Sequence, residues 1–377
     1  MNFISLIIII LFSLSIKIDA RANSKKDFED FFPAVKMPAV KLSTASPLTK
    51  IALGSCFHPS LDSKIFNEIR LQSPDLFVFI GDNVYAANES DDPKLMSLRK
   101  AYSDLSQIET FKALRESTPL MVTWDDHDYG KDDAGADFKQ RVFSESLFRY
   151  VWDVNSLDAR ASRPGVYFEQ TVGPKGKKVQ LIVLDTRSFR TPLTIHPNQD
   201  EGRYIESQDP QQSILGEDQW VWLSEQLSAP ADVRIIFTSI QLIAEGHHWE
   251  SWQMMPKERE KLFSLLASLE ANGVIIVSGD RHFAAIYELA TFEPYPLYEL
   301  TTSSLNVPLT SFVRNPIEEP GPNRLTKPFY KSNYGLIEID WTANKLSLKL
   351  MDEFSNPITE KTIDIELLGN QKHAQLQ

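Results

Sequence analysis

The sequence predicts a single-domain α/β fold that gathers its polar chemistry along one edge, and three observations lead there. Six short, nearly continuous apolar runs lie between residues 51 and 278, the pattern of parallel strands buried on both faces. Stretches with helical periodicity separate most of them. Each run also closes on a small cluster of metal-capable or hydrogen-bonding residues: GSC (Gly54–Cys56), GDNVY (Gly81–Tyr85), WDDHD (Trp124–Asp128), LDTR (Leu184–Arg187), TSIQ (Thr238–Gln241) and GDRH (Gly279–His282). Open α/β sheets bind ligands beyond the carboxyl ends of their strands, so the six clusters describe one site.

The elements follow in order. Ile51 to Leu53 is a strand into GSC, Asp62 to Leu71 a helix and Leu76 to Ile80 a buried strand. Pro93 to Arg115 reads as one helical stretch, and Leu120 to Thr123 as the next strand. From Asp137 to Trp152 the spacing of Phe138, Val142, Phe143, Leu147, Phe148 and Val151 predicts a helix with one buried face. Val179 to Leu184 is a strand, Gly216 to Leu227 a helix opening on an acidic pair, and Ile235 to Thr238 a strand. Pro256 to Ala271 is a helix with proline in its first turn and Gly273 beyond its end, before a strand from Val274 to Ser278. After Pro296 the pattern turns to strands alone, at Leu297–Thr301, Gly335–Trp341, Lys345–Met351 and Thr362–Leu367. Between them, Asn306 to Lys331 holds five prolines and reads as a long surface loop of the kind that often rims a site.

The N-terminus reads as a targeting segment. Ile4 to Ile16 is apolar except for three serines, too short to span a bilayer comfortably, and Ala20-Arg21-Ala22 fits a small-x-small cleavage pattern. Residues 1–22 are therefore expected to be a signal peptide, with an uncleaved anchor as the alternative, residues 23–48 an N-terminal arm, and residues 49–370 the single domain. The implied location is periplasmic or secreted. No later segment is long and apolar enough to cross a membrane.

Charge narrows the partners. Against 39 Lys and Arg stand 51 Asp and Glu, a formal net charge of −12, so the overall field repels nucleic acid. Phosphate would bind only where a local cluster of cations inverts the sign. Cys56 is the only cysteine, so the domain must rely on its core rather than on an internal disulfide. A lone cysteine is ordinarily a small buried hydrophobe, but at the end of an apolar run beside the other clusters Cys56 also suits metal ligation.

In GDNVY, Asp82 and Tyr85 are spaced to face one centre, and a carboxylate with a phenolate favours a hard trivalent cation; the plainer reading is an aspartate turn and a core tyrosine. WDDHD sets three carboxylates around His127, which as a mere solvated turn would be costly self-repulsion. GDRH puts Asp280 two residues before His282, and alone it could be a satisfied core pair. Together the carboxylates, imidazoles, phenol and thiol are the ligand set of a metal-dependent hydrolase.

These residues also carry a resemblance. GSC, GDNVY, WDDHD and GDRH, with VLDTRSFR (Val183–Arg190), LGEDQWVWL (Leu215–Leu223), ESW (Glu250–Trp252) with PKER (Pro256–Arg259) and LYELTTSSL (Leu297–Leu305), resemble the alkaline phosphatase D (PhoD-like) branch of the calcineurin-like metallophosphatases from about residue 50 onward. The resemblance implies a four-layer α-β-β-α sandwich with a multinuclear metal centre of ferric iron and calcium, other divalent metals being the alternative. Carried over by position, Cys56, Asp82, Tyr85 and His282 would hold the iron. Asp82 would bridge to a second metal shared with Asp126 and Asp280, Asp125 would bind a further calcium, and His127 would contact the phosphate.

There are two departures from that pattern. Residues 23–48 are too few for the β-sandwich that precedes the catalytic domain in some members. Gln241 stands where the wider superfamily has a histidine, and it cannot replace a nitrogen ligand; the nearby His247 and His248 read as exposed loop histidines.

The expected chemistry is hydrolysis of a phosphomonoester or phosphodiester by a metal-activated water, with His127 donating to the phosphate or leaving oxygen. Arg187 would either clamp a phosphate oxygen or pair with a structural carboxylate. A phospholipase-like diesterase on lipid or wall polymers and a non-catalytic metal-binding protein are the alternative readings.

Overall fold

Strands that are apolar on both faces must be covered on both faces, and this chain does so with two stacked sheets and helices outside each. The computed structural model describes residues 36–369 apart from residues 87–91 and positions 199, 201, 270, 315 and 317. The leader expected over residues 1–22 and the arm up to residue 35 lie outside the described residues. Among the described residues no helix is long and apolar enough to cross a membrane.

The elements run β1 (Lys50–Gly54), α1 (Ile65–Leu71), β2 (Leu76–Ile80), α2 (Met96–Ser106), α3 (Glu109–Ser117), β3 (Leu120–Thr123), the single turn α4 (Asp126–Tyr129) and α5 (Arg141–Val151). Then come β4 (Phe168–Val172), β5 (Val179–Val183), a small ribbon of β6 (Thr194–Ile195) and β7 (Tyr204–Ile205), α6 (Gly216–Leu227), β8 (Val233–Phe237) and α7 (Pro256–Ser268). The last are β9 (Val274–Ser278), β10 (Ala285–Leu289), β11 (Leu297–Thr301), β12 (Asn333–Asp340), β13 (Lys345–Asp352) and β14 (Pro357–Asp364).

The first sheet has the order β14-β13-β12-β1-β2-β3 and the second β10-β11-β9-β8-β5-β4. Within the first, β1, β2 and β3 are parallel; within the second, β5, β8, β9 and β11 are parallel. All six predicted polar clusters therefore close parallel strands, three in each sheet.

Side-chain alternation sets the layers. Leu76, Val78 and Ile80 of β2 join the core between the sheets, whereas Phe77 and Phe79 join a second core with Phe66 of α1, Leu105 of α2, Phe111 of α3 and Phe148 of α5. Trp220 and Leu223 of α6 and Leu262 and Leu266 of α7 pack with the second sheet's strands. The result is the four-layer α-β-β-α sandwich.

Several expected boundaries move. The stretch 93–115 is two helices, α2 and α3, separated at Gln107 and Ile108, where Ile108 is extended. Val142, expected on the buried face of α5, is 59% exposed because that face runs through Ser144, Leu147, Phe148 and Val151, on the opposite side of the helix. The last strand starts earlier than expected, at Pro357, and residues 365–368 form a 3-10 turn instead. β4 and β10 were not expected; each pairs antiparallel at an outer edge of the second sheet.

The crossing from strand to site needs one special glycine. Gly81, directly after β2, holds φ at +103°, and a Cβ there would lie 2.6 Å from Asp125 Cβ and 2.9 Å from Asp125 N. Gly176 also has positive φ, but a Cβ there would meet nothing within 4 Å. Gly81→Ala should therefore cost about 1–3 kcal/mol in backbone strain plus the displacement of Asp125. In chemical denaturation it should be clearly less stable than Gly176→Ala; equal midpoints would remove the close approach from the account.

Candidate metal centre

The strand ends turn back on themselves, and the turning residues are the ones that carry the chemistry. Cys56, Asp82, Asp280 and His282 all adopt left-handed backbone, with φ of 55°, 49°, 66° and 56°. Such conformations cost non-glycine residues about 1–3 kcal/mol each, and they cluster where function demands a fixed side-chain direction. The ends are tied to one another: Phe57 N donates to Asp82 O at 2.9 Å, Leu305 N to Ser55 O at 2.8 Å, and Gly279 N to Ser239 O at 2.9 Å. A Cβ on Gly279 would lie 2.7 Å from Ser55 Oγ, so the crests of the two sheets touch here.

Asp82 sits at the middle. Its Oδ2 accepts from Tyr85 OH at 2.8 Å and from Cys56 Sγ at 3.5 Å, and its Oδ1 accepts from His127 N at 3.3 Å. Tyr85 OH lies 3.4 Å from His282 Nε2. His282 Nδ1 donates to the carbonyl of Val307, which can only accept, so in the neutral ring the lone pair is on Nε2, toward Tyr85. Burial holds His282 down to about 4, which keeps that ring neutral. Ser303 Oγ accepts from His282 N at 2.8 Å and lies 2.9 Å from Cys56 Sγ, leaving its O–H able to support a thiolate.

Three sets of donor atoms lie mutually within 4.8 Å: Cys56, Asp82 and His282; Asp82, Asp126 and His127; Asp126, Asp133 and Glu250. Asp82 belongs to the first two and Asp126 to the last two. Asp280, partly buried, faces the carboxylates of Asp126, Glu250 and Asp82.

The electrostatics are those of a cation site. Burial, and then Asp126, push Asp82 well above the usual carboxylate range. Burial also pushes up Cys56 and Tyr85, and the Asp82 charge pushes both further. Asp280 is raised by burial and by Asp126, against the pull of Arg281. Asp126 alone is lowered: burial opposes this, but His127 and Arg187 outweigh it. Buried oxygens without a hydrogen-bond partner among the described residues include Asn83 Oδ1, Asp125 Oδ2 and Gln241 Oε1. Anionic oxygens, a thiol, a phenol and orphaned acceptors are a donor set that fits metal cations.

Comparisons with known proteins bear on the family and the fold. Residues 51–350 match the family model of PhoD-like phosphatase. The chain belongs to that family. It is 25% identical over 237 residues to alkaline phosphatase D of Bacillus subtilis (strain 168), an alignment that covers 55% of this chain and 39% of that protein. The chain thus spans well under half the length of this curated relative. A solved structure of PhoD superposes with a TM-score of 0.65 at 16% identity, covering 86% of this chain and 70% of that one.

Within this PhoD-like chain the expected residues divide. Cys56, Asp82, Tyr85, Asp126, His127, Asp280 and His282 come together as described. Asp125 does not join the three donor sets; its Oδ1 accepts from Arg187 Nε at 2.6 Å and from Ser239 Oγ at 2.8 Å. Arg187 is fully buried, held between Asp125 and Glu250, whose Oε2 is 2.7 Å from its Nη1. Gln241 Nε2 binds Tyr287 OH at 3.1 Å and Thr301 Oγ1 at 2.9 Å, joining the ends of β8 and β11. The expectation of exposed loop histidines is corrected. His247 is buried with Nδ1 accepting from Trp249 N at 3.1 Å, and His248 is half-buried, because the loop folds over Arg203 and Tyr204.

Four residues escaped the sequence reading. Asp128, counted only as a third carboxylate of WDDHD, turns inward and accepts from the backbone N–H groups of Asp82 (3.2 Å), Asn83 (3.3 Å) and Asp125 (2.6 Å), bracing β2 against β3. Asp133 and Glu250 complete the third donor set. Their signals were present as the acidic stretch after WDDHD and the ESW motif, but neither lies at a strand end. Ser303 lay in LYELTTSSL, beyond β11.

Burial pushes Asp128 and Asp133 each up to about 7. A carboxyl with a higher pKa folded than unfolded holds its proton only in the fold between the two values, so the fold loses stability as pH rises from about 4 through about 7. Stripped of metal by a chelator, the protein should unfold at lower denaturant at pH 8 than at pH 5, and restored cations should flatten that slope. A chelated protein that is more stable at pH 8 would mean the carboxylates already carry their compensating charge.

Proposed function

We propose that the protein is an exported, metal-dependent phosphoesterase that hydrolyses phosphomonoesters, phosphodiesters or both. The observation that carries this reading is the shared position of Asp82, one oxygen toward a thiol and a phenol beside an imidazole, the other toward the Asp126–His127 turn. Cys56, Tyr85, Asp82 and His282 would hold ferric iron, and Asp82, Asp126 and Asp280 calcium or another divalent ion. Bound there, the cations supply positive charge to phosphoryl oxygens and activate a water for attack on phosphorus. They also reverse the local sign in a chain of net charge −12, without which phosphate would be repelled.

The protein's own groups do the positioning. The backbone N–H of His127 donates to Asp126 at 2.8 Å as well as to Asp82, and its ring lies against Tyr85 with centroids 4.2 Å apart. Held this way, the imidazole suits donation to the phosphate or to the departing oxygen. Arg187, enclosed by two carboxylates, suits a positioning role toward Asp125 and Glu250 rather than a clamp on phosphate.

Elemental analysis of the purified protein with a panel of mono- and diesters tests the reading. Stoichiometric metal and turnover support it; bound metal with no turnover on any ester favours a non-catalytic metal-binding protein. His127→Ala should keep its metal and lose roughly 10²–10⁴ in kcat, the contribution of a positioned acid. If it loses metal instead, its ring is a ligand. The holoprotein should also be coloured, because a phenolate or thiolate on ferric iron absorbs visible light. Tyr85→Phe and Cys56→Ser should each shift or weaken the band, and a colourless active enzyme without iron would replace the ferric assignment with other ions.

A further inference from the structure

The loop after β11 does more than cross the surface. Leu309 N donates to His282 O at 2.7 Å, and Val307 O accepts a hydrogen bond from His282 Nδ1, so the segment is locked to a proposed iron ligand on two sides. A 3-10 turn follows at Leu309–Ser311, with Phe312 N and Val313 N donating back to Leu309 O at 3.0 and 2.9 Å. This turn delivers the Phe312 ring edge-on to the imidazole of His282, with centroids 5.2 Å apart at 77°. Phe312 is nonetheless 64% exposed and belongs to neither hydrophobic core, and Val313 beside it is 42% exposed. A large ring held in water by a hydrogen-bonded turn loses apolar burial, a cost that binding can recover.

We propose that Phe312 is a specificity-determining residue, the apolar seat for the alcohol portion of the phosphoester. The site then prefers esters of aromatic or bulky apolar alcohols over those of small polar alcohols. This rests on the phosphoesterase reading above. A phosphate next to His282 places its ester substituent within reach of the Phe312 ring, and stacking there would be felt in binding. Phe312 touches neither the reacting atoms nor a proton in this account, so its effect belongs in KM rather than in kcat.

The test compares kcat/KM for 1-naphthyl phosphate and glycerol phosphate in the wild type, Phe312→Ala and Phe312→Trp, with metal content measured on each. Using the ratio of the two esters cancels their intrinsic difference in reactivity. Phe312→Ala should lower the naphthyl-to-glycerol ratio by about 5- to 30-fold, mainly through KM, and Phe312→Trp should restore it. An unchanged ratio overturns the proposal. So does an equal fall for both esters, or loss of metal, either of which makes the ring a structural cap on His282. Wild-type protein that hydrolyses neither ester, nor any of the wider panel, would instead overturn the phosphoesterase reading and this proposal with it.

Discussion

Repulsion among buried carboxylates is the constraint on which the rest of this molecule depends. Asp82, Asp125, Asp126, Asp128 and Glu250 are all buried at or near the crest where the two sheets meet, with Asp133 and Asp280 partly buried beside them. Burying one uncompensated charge costs several kcal/mol, so a cluster of this kind is tolerated only if it is divided and paired. The division is visible. Arg187 and Arg190 neutralise Asp125 and Glu250, and three backbone N–H groups satisfy Asp128. Asp82, Asp126 and Asp280 form no arginine or lysine salt bridge among the described residues, although Arg187 and Arg281 act on the last two from further off, and Asp82 stands beside the thiol and the phenol. The braced carboxylates hold the frame; Asp82 and Asp280, raised by burial, are left to be neutralised by a proton or a cation.

The sheets explain why this charge is confined to one edge. Strands β2, β5, β8 and β9 are buried along their whole length. Most polar side chains within them would be stranded in a core, so the chemistry falls to the turns that follow, where left-handed residues re-aim the chain. Glu299 on β11 is a telling exception. It is fully buried, yet its carboxylate accepts the N–H groups of Leu242 and Ile243 at 2.9 and 2.6 Å. A polar residue inside a strand survives here by capping the segment that follows β8.

What was legible in the sequence follows from the same physics. The six apolar runs and their polar ends could be read directly, because burial on both faces leaves no alternative composition. β4 escaped because its burial is mostly intermediate, so FEQTV carries no apolar run. The split between α2 and α3 has no glycine or proline to announce it. At the site, the strand-end residues were legible, but Asp133 and Glu250 reach it from loops through tertiary folding, which spacing does not record. Arg187 shows the remaining limit: the residue was conspicuous after LDT, yet only its neighbours decide between phosphate and carboxylate.

The loop after β11 joins the fixed and the adjustable parts of the site. Val307 O sets which nitrogen of His282 carries the lone pair, and five residues later the same segment carries Phe312 against that ring. The orientation of the His282 ring therefore needs the loop's backbone in place, whereas the side chain at position 312 is free of that duty. Exchanging side chains on a loop whose backbone is pinned can alter what the site accepts without disturbing what the site is. Strand ends that must hold several charges at once have no comparable freedom, since moving any of them leaves a buried carboxylate without its partner.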